Sequence, residues 1–182
     1  MIILNKNELN LWIEKYNNYQ SQSSRKVEEE LRAKFVSNPV MTKKDLQTII
    51  DWKYQDLPSR KNRMLKLINE YDDRFIQDLS KLVFKHEKDE LRLELLTVIN
   101  GVGPATCSVI LSFYNPWKYG ILDIHAWREL FQERESKTLF SNNRYAIGFF
   151  EKLREISKQT GLSCRDIEKA YFKKNYDEAK SN

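Results

Sequence analysis

Apolar residues recur at three- and four-residue steps along most of the chain, as in Leu79, Leu82 and Val83 and again in Leu91, Leu95, Val98 and Ile99. That spacing lines one face of an α-helix. Only five glycines and four prolines interrupt it, and strand-type alternation is hard to find. The chain is therefore expected to be all-α, with helices over 7–18, 25–36, 42–54, 60–70, 72–85, 88–99, 105–114, 123–133, 142–160 and 163–174. Thr42 and Ser163 read as N-caps and Gly161 as a C-cap. The serine-rich stretch "NYQSQSSRK" at 18–26 reads as a linker, and the tail "DEAKSN" as a fraying end.

A chain of 182 residues is long enough to bury a core without help from metals or disulfides. Its two cysteines, Cys107 and Cys164, fit neither a disulfide framework nor a clustered metal site. The opening "MIILNKNELNLWIEKYNN" lacks a basic leader and a continuous apolar core, and no apolar run is long enough for a bilayer. A cytoplasmic protein with no membrane association is expected. Lys and Arg number 31 against 26 Asp and Glu, for a formal charge of +5. That balance tolerates a phosphate-rich partner without requiring one.

The most informative segment is "INGVGPATC", residues 99–107. Two glycines around one valine permit a tight reversal with positive φ, and Pro104 suits the first turn of a following helix. The expectation is helix, hairpin, helix over about 88–114. Backbone N–H groups of Gly101, Gly103, Ala105 and Thr106 would then point outward at a helix N-terminus, where an anion such as a DNA phosphate is held. A plain αα-corner needs the same glycines for steric reasons alone.

Downstream, "LDIHAWR" places Asp123 eighteen residues after Ala105. The hairpin and this element together resemble the helix-hairpin-helix DNA glycosylase superfamily, whose signature joins a Leu-Pro-Gly-Val-Gly hairpin to an Asp-x-His-x-x-Arg helix start. Gly101, Val102, Gly103, Thr106, Asp123, His125 and Arg128 carry the likeness, which covers roughly a quarter of the chain. Asn100 stands where the family has proline, Ala105 stands where its bifunctional members have lysine, and the four-cysteine cluster of some members is absent.

The resemblance implies a two-lobed helical bundle forming a single glycosylase-like unit over 1–182. A central lobe would span 35–130, and a second lobe would combine 1–34 with 131–182. It implies a base-excision repair enzyme that hydrolyses the N-glycosidic bond of a damaged or modified base in double-stranded DNA, acting as a monomer. Asp123 would be the catalytic carboxylate, although an aspartate before "IHAWREL" is also a good N-cap. Gly101, Val102, Gly103, Ala105, Thr106 and His125 would contact DNA phosphates. Without the family likeness, His125 reads as a partly buried histidine with its hydrogen bonds satisfied. Arg128 serves either a phosphate or an internal ion pair.

With Ala105 in the lysine position, a monofunctional glycosylase without lyase activity is expected. No cofactor is required and no iron-sulfur cluster is expected. Family hairpins also hold a monovalent or calcium-like cation through backbone carbonyls, here those of Thr97, Ile99 and Val102. In "IIDWKYQ", Lys53 is a candidate substitute for the missing lysine, but the expectation is that Trp52 packs in the core and Lys53 lies on a solvated face. Trp52, Tyr54, Trp117, Tyr119, Tyr171 and Phe172 are aromatic candidates for holding an extruded base, most of them expected in the core. Two other functions fit the same residues: a non-catalytic helix-hairpin-helix DNA-binding protein, and a helical interaction protein in which the glycines only make a corner.

Overall fold

The computed structural model describes residues 4–132 and 140–181, among which ten α-helices and no strands occur. They are α1 (Lys6–Tyr19), α2 (Gln22–Ser37), α3 (Lys43–Lys53), α4 (Pro58–Asn69), α5 (Asp73–Lys85), α6 (Asp89–Thr97), α7 (Pro104–Tyr114), α8 (Ile124–Phe131), α9 (Asn143–Thr160) and α10 (Cys164–Ser181). The expected end of the eighth helix at 133, and part of the segment 131–182 assigned to a second lobe, lie outside the described residues.

Local chemistry explains most boundaries. Thr42 and Asp45 form a reciprocal capping box at the start of α3, and Asn5 with Glu8 does the same for α1; each satisfies orphan amides that a helix start otherwise exposes. Gly161 is the C-cap of α9. Ser163 accepts from the Asp166 amide at 3.0 Å and begins α10.

Two expectations need correction. The serine-rich stretch is no linker, because Ser21 caps α2 by accepting the Ser24 amide at 3.1 Å, and only Gln20 and Ser21 separate α1 from α2. Serines in a first turn are helix-starting residues when one of them reaches back to a free amide. The tail is likewise helical through Ser181 rather than ending at 174. Lys173 with Asp177 and Lys174 with Glu178 make i,i+4 ion pairs there, while Tyr176 stacks on Phe172, so side-chain pairing extends the helix.

One apolar cluster runs from Leu4 to Tyr171 and includes residues of every helix. Helix α10 packs along α1, α8 and α9, and α7 lies against α2, α3, α6 and α9. Helix α7 is buried on nearly all sides, from Pro104 through Phe113, as expected of an apolar helix at the centre of a bundle. No helix among the described residues is long and apolar enough to cross a membrane.

Candidate active site

The glycine turn between α6 and α7 is closed by the Val102 amide donating to the Ile99 carbonyl at 2.9 Å. Gly101 takes φ +88°, a left-handed conformation open to glycine. Gly103 is the N-cap of α7 and Pro104 its first residue. The Tyr71 hydroxyl receives the Asn100 amide at 2.9 Å and pins the turn from outside α6.

Not all of the residues expected to meet phosphate present themselves. Thr106 is buried, its amide donates to the Gly103 carbonyl at 2.8 Å, and its hydroxyl pairs with that of Tyr54 at 3.1 Å. Thr106 therefore anchors the hairpin internally and is not an outward-facing donor. Val102 is buried as well. The first turn of α7 draws its bonds from Gly103, leaving the amides of Gly101, Gly103 and Ala105 without partners among the described residues. Thr97, Gly101, Val102, Gly103 and Pro104 border an open depression of about 700 Å³ that also meets Phe140 and Asn142. It is lined by no titratable group among the described residues. Two of the three carbonyls expected to hold a cation, those of Thr97 and Val102, belong to residues on this depression, and the Ile99 carbonyl already accepts one hydrogen bond.

A second, more enclosed cavity has a volume of about 390 Å³, within the range of small-molecule sites, about 300–1,000 Å³. Asp123 and Lys53 both line it, and Tyr16, Tyr19, Trp52 and Phe172 supply aromatic surface. Asp123 is the N-cap of α8, with Oδ1 accepting the His125 amide at 2.8 Å. Only that oxygen is used for capping, so the same residue caps a helix and presents carboxylate to the cavity.

Lys53 departs from the expected solvated position. It is half-buried, the last residue of α3, and part of the cavity wall. The cause is the next residue: the bond between Tyr54 and Thr106 ties the end of α3 to the start of α7. Among the described residues the Lys53 amine has no ion-pair or hydrogen-bond partner. Burial pushes its pKa down to about 8, with Asp123 and Glu168 opposing the shift and Arg60 and Arg165 adding to it.

The cavity floor is a charged cluster. Arg165, 1% exposed, donates to Glu28 at 3.0 and 3.1 Å, to the Tyr16 hydroxyl at 3.2 Å, and to Glu168. Glu168 also accepts the Ile121 amide at 3.2 Å. The two acids differ. Burial favours the neutral form of each, but Arg165, Lys169 and Arg32 surround Glu28 and hold it down to about 2. Glu168 has Arg165 and the Ile121 amide but faces Asp123, and burial carries it up to about 7. Gln20 donates its side-chain N–H to Glu28 at 3.4 Å, and its buried Oε1 has no partner among the described residues.

The other candidates are placed elsewhere. The His125 Nδ1 pairs with Asn175 Oδ1 at 2.9 Å, and its ring sits edge-on to Phe172 and Tyr176. Arg128, half-buried on α8, is not among the residues lining the cavity. Of the six aromatic candidates, Trp52 and Phe172 reach it. Trp52 packs on Phe113 and donates its indole N–H to the Ser24 carbonyl at 2.9 Å. Tyr119 is buried with Asp89 and Arg92, Tyr171 receives the Leu4 amide, and Trp117 is exposed.

Sequence reasoning missed Tyr16, Tyr19, Gln20, Arg165 and Glu168. Only "RDIEK" offered a signal, an Arg–Glu pair at i,i+3 that reads as a solvated helix face.

Compared with protein families, characterised proteins and solved structures, the chain matches none.

Proposed function

We propose that this protein excises a damaged or modified base from double-stranded DNA by breaking its N-glycosidic bond. The observation that carries this reading is the Asp123 carboxylate at the N-terminus of α8, opening onto an aromatic-lined cavity one helix beyond a glycine turn whose amides are unpaired among the described residues. A base inside a duplex is out of reach, so it must be extruded into a pocket that stacks on it. Tyr16, Tyr19, Trp52 and Phe172 offer such surfaces. The hairpin amides of Gly101, Gly103 and Ala105 suit a backbone phosphate, and such contacts position the duplex without reading its sequence.

Departure of a base builds positive charge on the deoxyribose, as in other glycoside cleavages through oxocarbenium-like transition states. A fixed carboxylate beside the anomeric carbon stabilises that charge. Asp123 has this role. Its Oδ1 is held by the His125 amide, so the carboxylate is oriented before substrate arrives.

The test is base release from a panel of duplexes, each containing one damaged base, read after alkaline cleavage and in parallel without alkali. One duplex of the panel is expected to be cut by wild-type protein, with activity lost in Asp123→Asn while DNA affinity persists, because phosphate contacts set affinity. Silence across the panel with binding intact in both proteins would favour a non-catalytic DNA-binding protein. Absence of DNA affinity at moderate salt would remove both.

A further inference from the structure

We propose that Lys53 is a nucleophile of this site, forming a covalent imine with C1′ of the deoxyribose and thereby cutting the strand. The inference rests on the base-excision reading and replaces the strand-sparing course expected from Ala105. Lys53 and Asp123 line one cavity although they come from α3 and the start of α8. Among the described residues the amine has no ion-pair or hydrogen-bond partner and lies only over the Tyr54 ring, 5.7 Å from its centre, in a wall where the buried Arg165 is held by two carboxylates and a phenol. A structural lysine at such depth would be expected to share that network. Lys53 is instead held in position through its neighbour, since the Tyr54–Thr106 bond fixes the end of α3 against α7.

The surroundings also prepare the amine. The charged groups that face it are Asp123, Glu168, Arg60 and Arg165, and burial outweighs the two carboxylates enough to bring its pKa to about 8. A sizeable fraction is therefore neutral near pH 8, whereas an ordinary lysine, at about 10.4, is almost wholly protonated. Desolvation is a recognised way to activate a lysine amine.

The steps balance without an oxidant or reductant. The Nζ lone pair forms a bond to C1′ as the C1′–N bond breaks, its electron pair leaving with the base, which takes a proton from water. Nζ releases a proton, the ring C1′–O4′ bond opens with O4′ protonated, and a C1′=N iminium results. Loss of a C2′ proton then expels the 3′-phosphate by breaking C3′–O, leaving a C2′=C3′ double bond. Water hydrolyses the imine, returning the lysine and an unsaturated aldehyde on the sugar. With an abasic site as substrate, the amine condenses directly with the C1′ aldehyde and expels water.

The experiment uses full-length protein and a duplex carrying a preformed abasic site, with borohydride present to reduce any imine to a stable amine. The expected result is a protein–DNA adduct that mass spectrometry maps to Lys53, formed faster as pH rises toward 8, together with alkali-independent strand cleavage. Lys53→Arg keeps the positive charge and DNA affinity but cannot make the imine, so adduct and cleavage should both be lost; Lys53→Gln guards against an effect peculiar to arginine. An adduct at another amine, or equal trapping in wild type and Lys53→Arg, overturns the proposal. Alkali-dependent base release with no adduct overturns it and leaves base excision standing. A Lys53 adduct on abasic DNA with no base released from the lesion panel sustains Lys53 as a nucleophile and removes the excision reading.

Discussion

Glu28 and Glu168 contact the same guanidinium yet are driven in opposite directions, to about 2 and about 7. Each has its own consequence for stability. Glu28 ionises more readily in the folded chain, so its contribution is present above the ordinary 4.5 and is lost as pH falls toward 2. Glu168 holds its proton longer when folded, so its contribution is present below 4.5 and is lost as pH rises through about 7. Glu168→Gln keeps an acceptor for the Ile121 amide but cannot ionise. Urea denaturation between pH 4.5 and 7 should therefore show wild-type stability falling relative to Glu168→Gln. Parallel pH dependences would mean that Glu168 is ionised throughout that range. At this scale part of the site was legible: Asp123 was identifiable from its spacing to the hairpin and from "DIHAW". Lys53 was visible only as a candidate, because one lysine after one tryptophan looks the same on a wet face and in a cavity wall.

At the scale of elements, two glycines set where the turn into α7 and the cavity-lining groups sit. Gly101 makes the turn into α7 at φ +88°. Replacing it with alanine places an L-residue in the left-handed region and puts a Cβ 2.9 Å from Met64 Sδ and Leu67 Cδ1. These are side-chain ends that can shift, so backbone conformation dominates the cost, roughly 1–2 kcal/mol. Gly101→Ala should lower the denaturation midpoint accordingly; an unchanged midpoint would show that the turn relaxes freely. Gly120 acts through proximity. A Cβ there would lie 2.5 Å from Leu153 Cδ1 and 2.8 Å from Glu168 Cβ, so only glycine lets the segment before α8 lie against α9 and α10. That approach brings the Ile121 amide to Glu168 and Asp123 to the cavity. The hairpin glycines stood out in the sequence because they cluster with proline. Gly120 did not, since a lone glycine in "KYGILD" carries no sign of what it will face.

Across the whole molecule, Arg165 joins α1, α2 and α10 through Tyr16, Glu28 and Glu168. A buried ion cluster of this kind contributes little net stability when intact, but removing one partner strands the others in low dielectric. Arg165→Met leaves the ionised Glu28 buried without its principal counter-charge and should cost about 3–5 kcal/mol. Urea denaturation measures this loss, and adding Glu28→Gln to Arg165→Met should restore part of it. A loss below about 1 kcal/mol, the scale of an exposed pair, would mean that water reaches the cluster.

The sequence by itself determined the all-α class, most helix boundaries, the glycine turn between α6 and α7, and the position of Asp123 at a helix start. These depend on interactions within a few residues: apolar periodicity, capping side chains and turn-forming glycines. Tertiary structure alone decided that Tyr16, Lys53, Asp123 and Arg165 share one cavity, because they approach one another only when α1, α3, α8 and α10 pack. It also decided the protonation preferences of Lys53 and Glu168, which follow chiefly from loss of water on burial. Burial is a property of the packed chain, and no local pattern in "DWKYQ" or "RDIEK" encodes it.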